Sequence, residues 1–520
     1  MSDSYSSDHF TMPDTVRREA LSIAYKENHL FTMTKGKVDE WPDKLQRYVA
    51  LSLHHCDFVD DFPGRLNYPR LRVLQIVNNI PHLKIPKNFF KGVKELRVLI
   101  LIGIQLPLID SSISSLHKLR MLSLEQCCML DEELSIVGEM KRLRVLSFSG
   151  SDIKSLPYEL NELKRLQIFD ISNCSKLKNI PHGVVSSLVS LEELYMRNTL
   201  IQWEDEEQTR QSKITLLSDL KHLNQLTTLD IQIPNVSYLP KNLYFDKLDS
   251  YKIVIGDLSS FLETGFQMPE KYETLKFLAV QLENGSDIHS LMGIKMLFEG
   301  VENLFLELNT VHEKHNSVHE AHNIVHDLFY RLNLKGFPYL KHLWIVNNST
   351  IQSLIHPKDR QYPEKAFPKL ESLSLYNLKM DEICSCKLSE PSFGKLKVIK
   401  INLCGELKNV FSISMVGLLK VLETIEVSEC SSLKEVIYVG PPINPEKTVI
   451  PMLPELRYLK LHSLSKFIGF DATPYIEGEE RKLFHEKVRL KLSFKFLNLL
   501  ELKFLFSHFC SVQLKKGKCL

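Results

Sequence analysis

The sequence is 520 residues long and contains no apolar run approaching the ~18 residues of a membrane-spanning helix. Its start, MSDSYSSDHF, has neither the basic opening nor the apolar centre of a secretory signal, so the expected location is cytoplasmic. Charge of one sign is also missing. Lys plus Arg number 65 against 63 Asp plus Glu, a formal net charge of +2, so no global field points to nucleic acid or an anionic membrane. Ten cysteines over this length make no disulfide framework. Cys384-Ser385-Cys386 has the wrong spacing for a zinc knuckle and reads as structural thiols. No serine stands in a G-x-S-x-G elbow, and acids and histidines are scattered without a shared cleft, so the expectation is a chain that is not an enzyme.

What is abundant is one short pattern. Leu166-Gln167-Ile168-Phe169-Asp170-Ile171-Ser172-Asn173-Cys174 reads L-x-x-L-x-L-x-x-C, with other apolar residues allowed at the leucine positions. Copies begin at Tyr48, Leu71, Leu96, Leu119, Leu143, Leu166, Leu191, Leu226, Leu248, Leu275, Val301, Leu340, Leu370, Leu396, Leu422, Leu456 and Leu497, about 17 units. The closer spacings lie within the ~20–29 residues of leucine-rich repeats. The expected fold is therefore an α/β leucine-rich-repeat solenoid, with parallel strands on its concave face and short helices or irregular returns on the convex one.

A strand has a side-chain period of two, so the fourth and sixth residues of a unit face one way and the third, fifth and seventh the other. In the Leu166 copy this makes Leu166, Phe169 and Ile171 core, with Ile168, Asp170 and Ser172 outward. The ninth position takes Cys56, Cys127, Cys174, Cys404 and Cys430, with Asn79, Asn309 and Asn348 as equivalents. A small side chain there can bond backbone groups left open where the strand ends. Ile85-Pro86, Leu156-Pro157, Ile180-Pro181 and Leu239-Pro240 recur between units, and proline suits the return because it donates nothing to a ladder.

The outward positions supply the candidate partner-binding residues: Tyr195, Arg197, Phe277, Phe305, His342, Trp344, Tyr376, Tyr458 and His462. Aromatic and arginine side chains on a sheet are the usual anchors of protein interfaces. The alternative is that some pack beneath inserted loops.

Several stretches stand apart from the array. Residues 1–11 read as disordered. Residues 12–32 carry a helical face of Val16, Ala20, Ile23 and Ala24 with Asp14 as N-cap, residues 33–47 form a linker, and repeats occupy 48–506. Insertions lie near 203–213, where Glu204, Asp205, Glu206 and Glu207 cluster, and near 310–327. The second holds a tandem duplication that spaces His312, His315, His319, His322 and His326 by three and four. A helix would align these imidazoles at a zinc-compatible spacing. Duplication alone generates the same spacing, so the reading is a solvated face without metal. Residues 507–520 form a basic tail.

Met12-Pro13-Asp14, followed by Arg17, Ala20-Leu21-Ser22-Ile23-Ala24 and then the repeats, resembles the MHD motif that closes the nucleotide-binding module of plant intracellular disease-resistance proteins. The stretches at Trp203-Glu204, at Leu226 to Pro234 and at Tyr251-Lys252-Ile253 resemble that coiled-coil, NB-ARC, leucine-rich-repeat family too. The similarity covers roughly residues 10–470, the C-terminal part of the family's architecture. It implies a winged-helix remnant before the repeats. It also implies a non-enzymatic module that senses a pathogen effector or guarded host protein in defence and contacts the family's nucleotide-binding module. The family binds ADP and ATP, but the G-x-x-x-x-G-K-[ST] loop is absent here, and Pro13 stands where the family's histidine reaches phosphate. The resemblance therefore implies no nucleotide on this chain, in keeping with a truncated receptor that lacks the switch. An intracellular repeat scaffold or inhibitor without signalling is the other reading.

Overall fold

A computed structural model describes residues 30–35, 37–38, 47–58, 62–78, 85–106, 111–129, 134–199, 217–239, 245, 247–257, 275–283, 294–309, 337–348, 351, 353–355, 366–384, 388–438, 453–471 and 489–493. The remnant motif Met12-Pro13-Asp14, both insertions with their histidines, Asn79, Leu497 and the basic tail lie outside these residues. The chain divides into two compact units, Met1–Gln281 with Gly285–Phe298, and Leu282–Asn284 with Glu299–Leu520. Among the described residues no helix is long and apolar enough to cross a membrane.

In the first unit, parallel strands stack in sequence order: Leu30–Thr34, Ala50–His54, Val73–Val77, Val98–Ile102, Met121–Glu125, Val145–Ser147, Ile168–Asp170, Glu193–Tyr195, Thr228–Ile233 and Ser250–Ile255, followed by the start of Lys276–Glu283. The second unit repeats the arrangement with Asn303–Asn309, His342–Asn348, Ser372–Leu378, Val398–Asn402, Thr424–Ser428, Tyr458–His462 and Arg489–Ser493. This is a leucine-rich-repeat solenoid.

The registers agree with the repeat phase read from the sequence except at the Leu275 copy, where Tyr251 pairs with Lys276 and Lys252 with Phe277, so that half-buried Leu275 takes the third position rather than the first and Phe277 the fifth. Fourth-position residues pair with fourth-position residues, as in Leu146↔Phe169 and Phe169↔Leu194. Leu166, Phe169 and Ile171 are at most 1% exposed, as the pattern requires. Each such side chain contributes about 1.5–3 kcal/mol, an upper figure because the unfolded chain is already partly compact. Several of the first unit's returns are short 3₁₀ turns, among them Phe89–Gly92, Leu134–Glu139 and Tyr158–Glu162, and one, Ser111–Ser114, is a single α-helical turn. Pro157 caps the last of these with extended backbone, which suits its fixed φ. The returns pack closely. A Cβ on Gly138 would lie 2.4 Å from the Glu159 carbonyl oxygen, so glycine is required there.

The described ladder starts with Leu30–Thr34, inside the stretches assigned to the remnant and the linker, and its last described strand, Arg489–Ser493, lies within the 48–506 repeats but belongs to a unit the sequence reading did not mark; Leu497 is outside the described residues. The cause is the same at both ends. Asn28 and Lys487 occupy the first position, so the unit lacks its leading apolar residue and shows only the fourth and sixth.

The ninth-position side chains bond backbone in a repeating way. The Cys127 thiol donates to Leu101 O at 3.4 Å, Cys174 to Phe148 O at 3.1 Å, Cys56 to Met33 O at 3.7 Å, and Ser151, in the same position, to Leu124 O at 2.6 Å. In each case the acceptor is the sixth residue of the preceding unit. Burial pushes the Cys127 thiol up to about 12, so it stays protonated as a donor. Asn348 fits the scheme, its Oδ1 accepting from Ile351 N at 2.6 Å. In the Leu71 copy the buried asparagine is Asn78, whose Nδ2 donates to Cys56 O at 2.9 Å.

In many units the eighth position turns with positive φ: Gly103 and Gly150 at 70°, Asn173 at 59°, Asn198 at 57°, Asn347 at 55° and Asn377 at 52°, and also His55, Gln126, Leu403, Glu429 and Ser463 at 49–57°. Glycine and asparagine tolerate that region best. The asparagines also bond between units, Asn198 Nδ2 to Asn173 Oδ1 at 2.8 Å and Asn377 Nδ2 to Asn347 Oδ1 at 2.9 Å.

Candidate functional site

Stacking converts the outward positions into three straight rows, and from the His342 strand to the Tyr458 strand of the second unit their side chains are half-buried or exposed, Val346 excepted. The third-position row runs His342, Ser372, Val398, Thr424, Tyr458. The fifth runs Trp344, Ser374, Lys400, Glu426, Lys460, and the seventh Val346, Tyr376, Asn402, Ser428, His462. His342, Trp344, Tyr376, Tyr458 and His462 are all half-buried, standing on the sheet with part of each ring open.

Contacts along and across the strands hold several of these side chains in place. The His342 and Trp344 rings lie 5.8 Å apart, and His342 Nδ1 meets Ser372 Oγ at 2.7 Å. Burial holds the His342 pKa below its ordinary value, so the ring is neutral near pH 7. Ser428 Oγ donates to Asn402 Oδ1 at 3.1 Å, and Asn347 Nδ2 to Glu307 Oε1 at 2.9 Å. Glu426 lies between two lysines, 3.4 Å from Lys400 Nζ and 3.8 Å from Lys460 Nζ. One carboxylate between two ammonium groups leaves the patch with an excess positive charge beside Trp344 and Tyr376. Side chains pinned in this way lose less entropy when a partner binds.

Other residues chosen from the sequence are not on an open surface. Tyr195, Phe277 and Phe305 are 5%, 0% and 1% exposed, which corrects their assignment as anchors. The repeat position gives the direction of a side chain but not whether that direction is open, and an apolar ring gains more by being covered than by facing water. Tyr195 also spends its hydroxyl on Glu193 Oε2 at 2.7 Å. Arg197 is largely buried, its Nε 3.3 Å from Asp230 Oδ1. Asp170 and Ser172, expected outward, are buried too: Asp170 Oδ1 accepts from Ser172 N at 3.0 Å and Ser172 Oγ at 2.7 Å. In the first unit the fifth-position row Ser147, Asp170, Tyr195, Asp230, Lys252, Phe277 is thus covered, polar from Ser147 to Lys252 and closed by the apolar ring of Phe277.

Lys400 and Glu426 were not among the sequence candidates. The signal was present, since both occupy fifth positions, but a lysine and an acid 26 residues apart carry no mark of being neighbours. Among the described residues there is no group of three His, Cys, Asp or Glu side chains placed to hold a metal.

Residues 369–468 match the family model described as plant disease resistance protein RPS2-like, leucine-rich repeats. Two Arabidopsis thaliana proteins named as a disease resistance protein and a probable disease resistance protein are each 26% identical, over 481 and 478 residues. Each match covers 88% of this chain, with 45% of the first protein and 49% of the second, so the chain spans about half the length of the curated relatives it matches. Among solved structures, the leucine-rich-repeat ectodomain of the Arabidopsis receptor kinase HAESA, in complex with a peptide hormone ligand, aligns at 14% identity. It covers 85% of this chain and 67% of that one, with a TM-score of 0.44.

Proposed function

We propose that this chain, a leucine-rich-repeat relative of plant disease-resistance proteins, is a non-enzymatic module that recognises a protein through the ladder face of its second unit. The observation that carries the reading is the set of half-buried aromatic side chains, Trp344, Tyr376, Tyr458, His342 and His462, on the same ladder face as the Lys400–Glu426–Lys460 cluster, with His342 held against Trp344 and Ser372. Aromatic anchors with a charged flank are what protein interfaces use. On this reading the bound protein is a pathogen effector or a host protein that effectors modify, and recognition serves defence inside the cell. The chain itself binds no ADP or ATP, since its sequence lacks a phosphate-binding loop.

The test is proximity labelling in plant tissue with the unaltered chain and with Trp344→Ala plus Tyr376→Ala. Both side chains are outside the core rows, so circular dichroism and melting stay unchanged while one set of labelled neighbours disappears. An identical set of neighbours for the two chains refutes the assignment of this face.

A further inference from the structure

The second position of each unit lies just before its strand, and backbone bonding lines these residues up as well. In the first unit Arg97 N donates to Arg72 O at 2.8 Å, Arg120 N to Arg97 O at 2.8 Å, and Arg144 N to Arg120 O at 2.7 Å. Four arginines therefore occupy one row, separated by the strand spacing of about 4.8 Å and spanning roughly 14 Å. Arg72, Arg120 and Arg144 are exposed and Arg97 is half-buried. None of the four forms an ion pair among the described residues. The acid beside them, Glu95, is held by Lys118 at 2.5 Å. Arg70 and Arg142, both exposed, add charge two residues ahead of Arg72 and Arg144.

The equivalent row of the second unit is built differently. It reads Glu302, Lys341, Glu371, Lys397, Glu423, Arg457, alternating in sign. Its neighbours pair, Lys341 with Glu302 and Lys397 with Glu371, each at 2.9 Å. Opposite charges on adjacent strands are stabilising and like charges are not. The second unit satisfies that preference and the first violates it at three successive neighbour pairs, at half-buried or exposed positions that many polar residues could fill.

We propose that the Arg72–Arg97–Arg120–Arg144 row is a docking site for a short acidic segment, a run of Asp and Glu, of a protein partner. The guanidinium fork matches a carboxylate with two parallel hydrogen bonds, which a lysine cannot offer. A row of roughly 14 Å fits about four residues of extended chain at ~3.3 Å each. A long polyanion fits worse. Following the same row past Arg144 it reaches Gln167 and then Glu192, whose carboxylate already accepts from Gln167 Nε2 at 2.6 Å. No aromatic ring shares the row to stack a base, as single-stranded nucleic acid sites require. The net charge of +2 hides this surface because the excess is local.

The experiment measures fluorescence anisotropy of a labelled short poly-glutamate peptide against the full chain, with an oligothymidylate of equal charge in parallel. The unaltered chain binds the peptide, and binding weakens as salt rises. Arg97→Glu with Arg120→Glu removes two pairs and adds two repulsions, reducing affinity by about tenfold or more. Arg97→Gln with Arg120→Gln, the milder control for folding, reduces it less. Replacing all four by Lys weakens binding although charge is kept, while Arg457→Glu and Trp344→Ala leave it unchanged. The proposal is overturned if the unaltered chain shows no salt-sensitive peptide binding, if the double reversals bind as well as the original, or if Arg457→Glu is equally damaging. Tighter binding of the oligothymidylate, lost in the same variants, overturns it in favour of nucleic acid.

Discussion

Ser151→Ala tests whether the ninth position holds the stack together. Ser151 Oγ does two things at once: it donates to Leu124 O at 2.6 Å and accepts from Cys127 N at 2.9 Å. Ser151 is 1% exposed and Cys127 is equally buried, so water cannot replace either bond. Alanine leaves a buried carbonyl and a buried amide without this partner. Each such group costs about 1–3 kcal/mol, so the substitution destabilises the region by about 2–6 kcal/mol, with little volume lost. Ser151→Cys restores the residue type used at Cys127 and Cys174 and costs about 1 kcal/mol or less, because the thiol still donates, though weakly. A single melting temperature is a poor readout, since repeat arrays lose cooperativity along their length. The assay is native-state hydrogen exchange of the Cys127 amide, supported by urea unfolding of the whole chain. The alanine form accelerates exchange at Cys127 and its strand neighbours, with the cysteine form in between. Unchanged protection at Cys127, with a stability loss below about 0.5 kcal/mol, refutes the reasoning, since an amide losing its buried acceptor must become easier to open.

Two further outcomes follow from close packing and burial. Gly138→Ala places a Cβ 2.4 Å from Glu159 O and forces the Leu134–Glu139 and Tyr158–Glu162 turns apart, costing about 1–3 kcal/mol in urea unfolding. Cys127, with its thiol raised from 9.0 to about 12, keeps its proton in the fold while the unfolded chain loses it. Its contribution is therefore fully present below pH 9 and lost as pH rises toward about 12, and a Cys127→Ser form shows a flatter stability profile across that window. Iodoacetamide at pH 8 labels exposed Cys128 and spares Cys127 in the native chain.

The array was legible because its signal is local. An apolar residue at positions one, four and six marks a unit within nine residues, and Leu166, Phe169 and Ile171 are buried as that pattern demands. The terminal strands Leu30–Thr34 and Arg489–Ser493 escaped notice because polar residues open their units. The candidate site was only half legible. His342, Trp344, Tyr376, Tyr458 and His462 stand on the accessible ladder face. Tyr195, Phe277 and Phe305 occupy the same repeat positions and are covered. A repeat position states which way a side chain points, and repeats with the same phase can differ in what lies above that side: outward residues are half-buried in Ala50–His54 and Tyr458–His462 but covered at Tyr195 and Phe305.

The sequence by itself therefore determined the unit, its core rows, the cysteine at its end and the leucine-rich-repeat architecture, because all of these depend on spacing inside one turn of the solenoid. The tertiary structure decided which outward residues remain open and which distant residues become neighbours. Lys400, Glu426 and Lys460 form a cluster, and Arg72, Arg97, Arg120 and Arg144 form a row, only because stacking sets equal positions of successive units about 4.8 Å apart. Composition averages those charges to +2, whereas a partner meets them one row at a time.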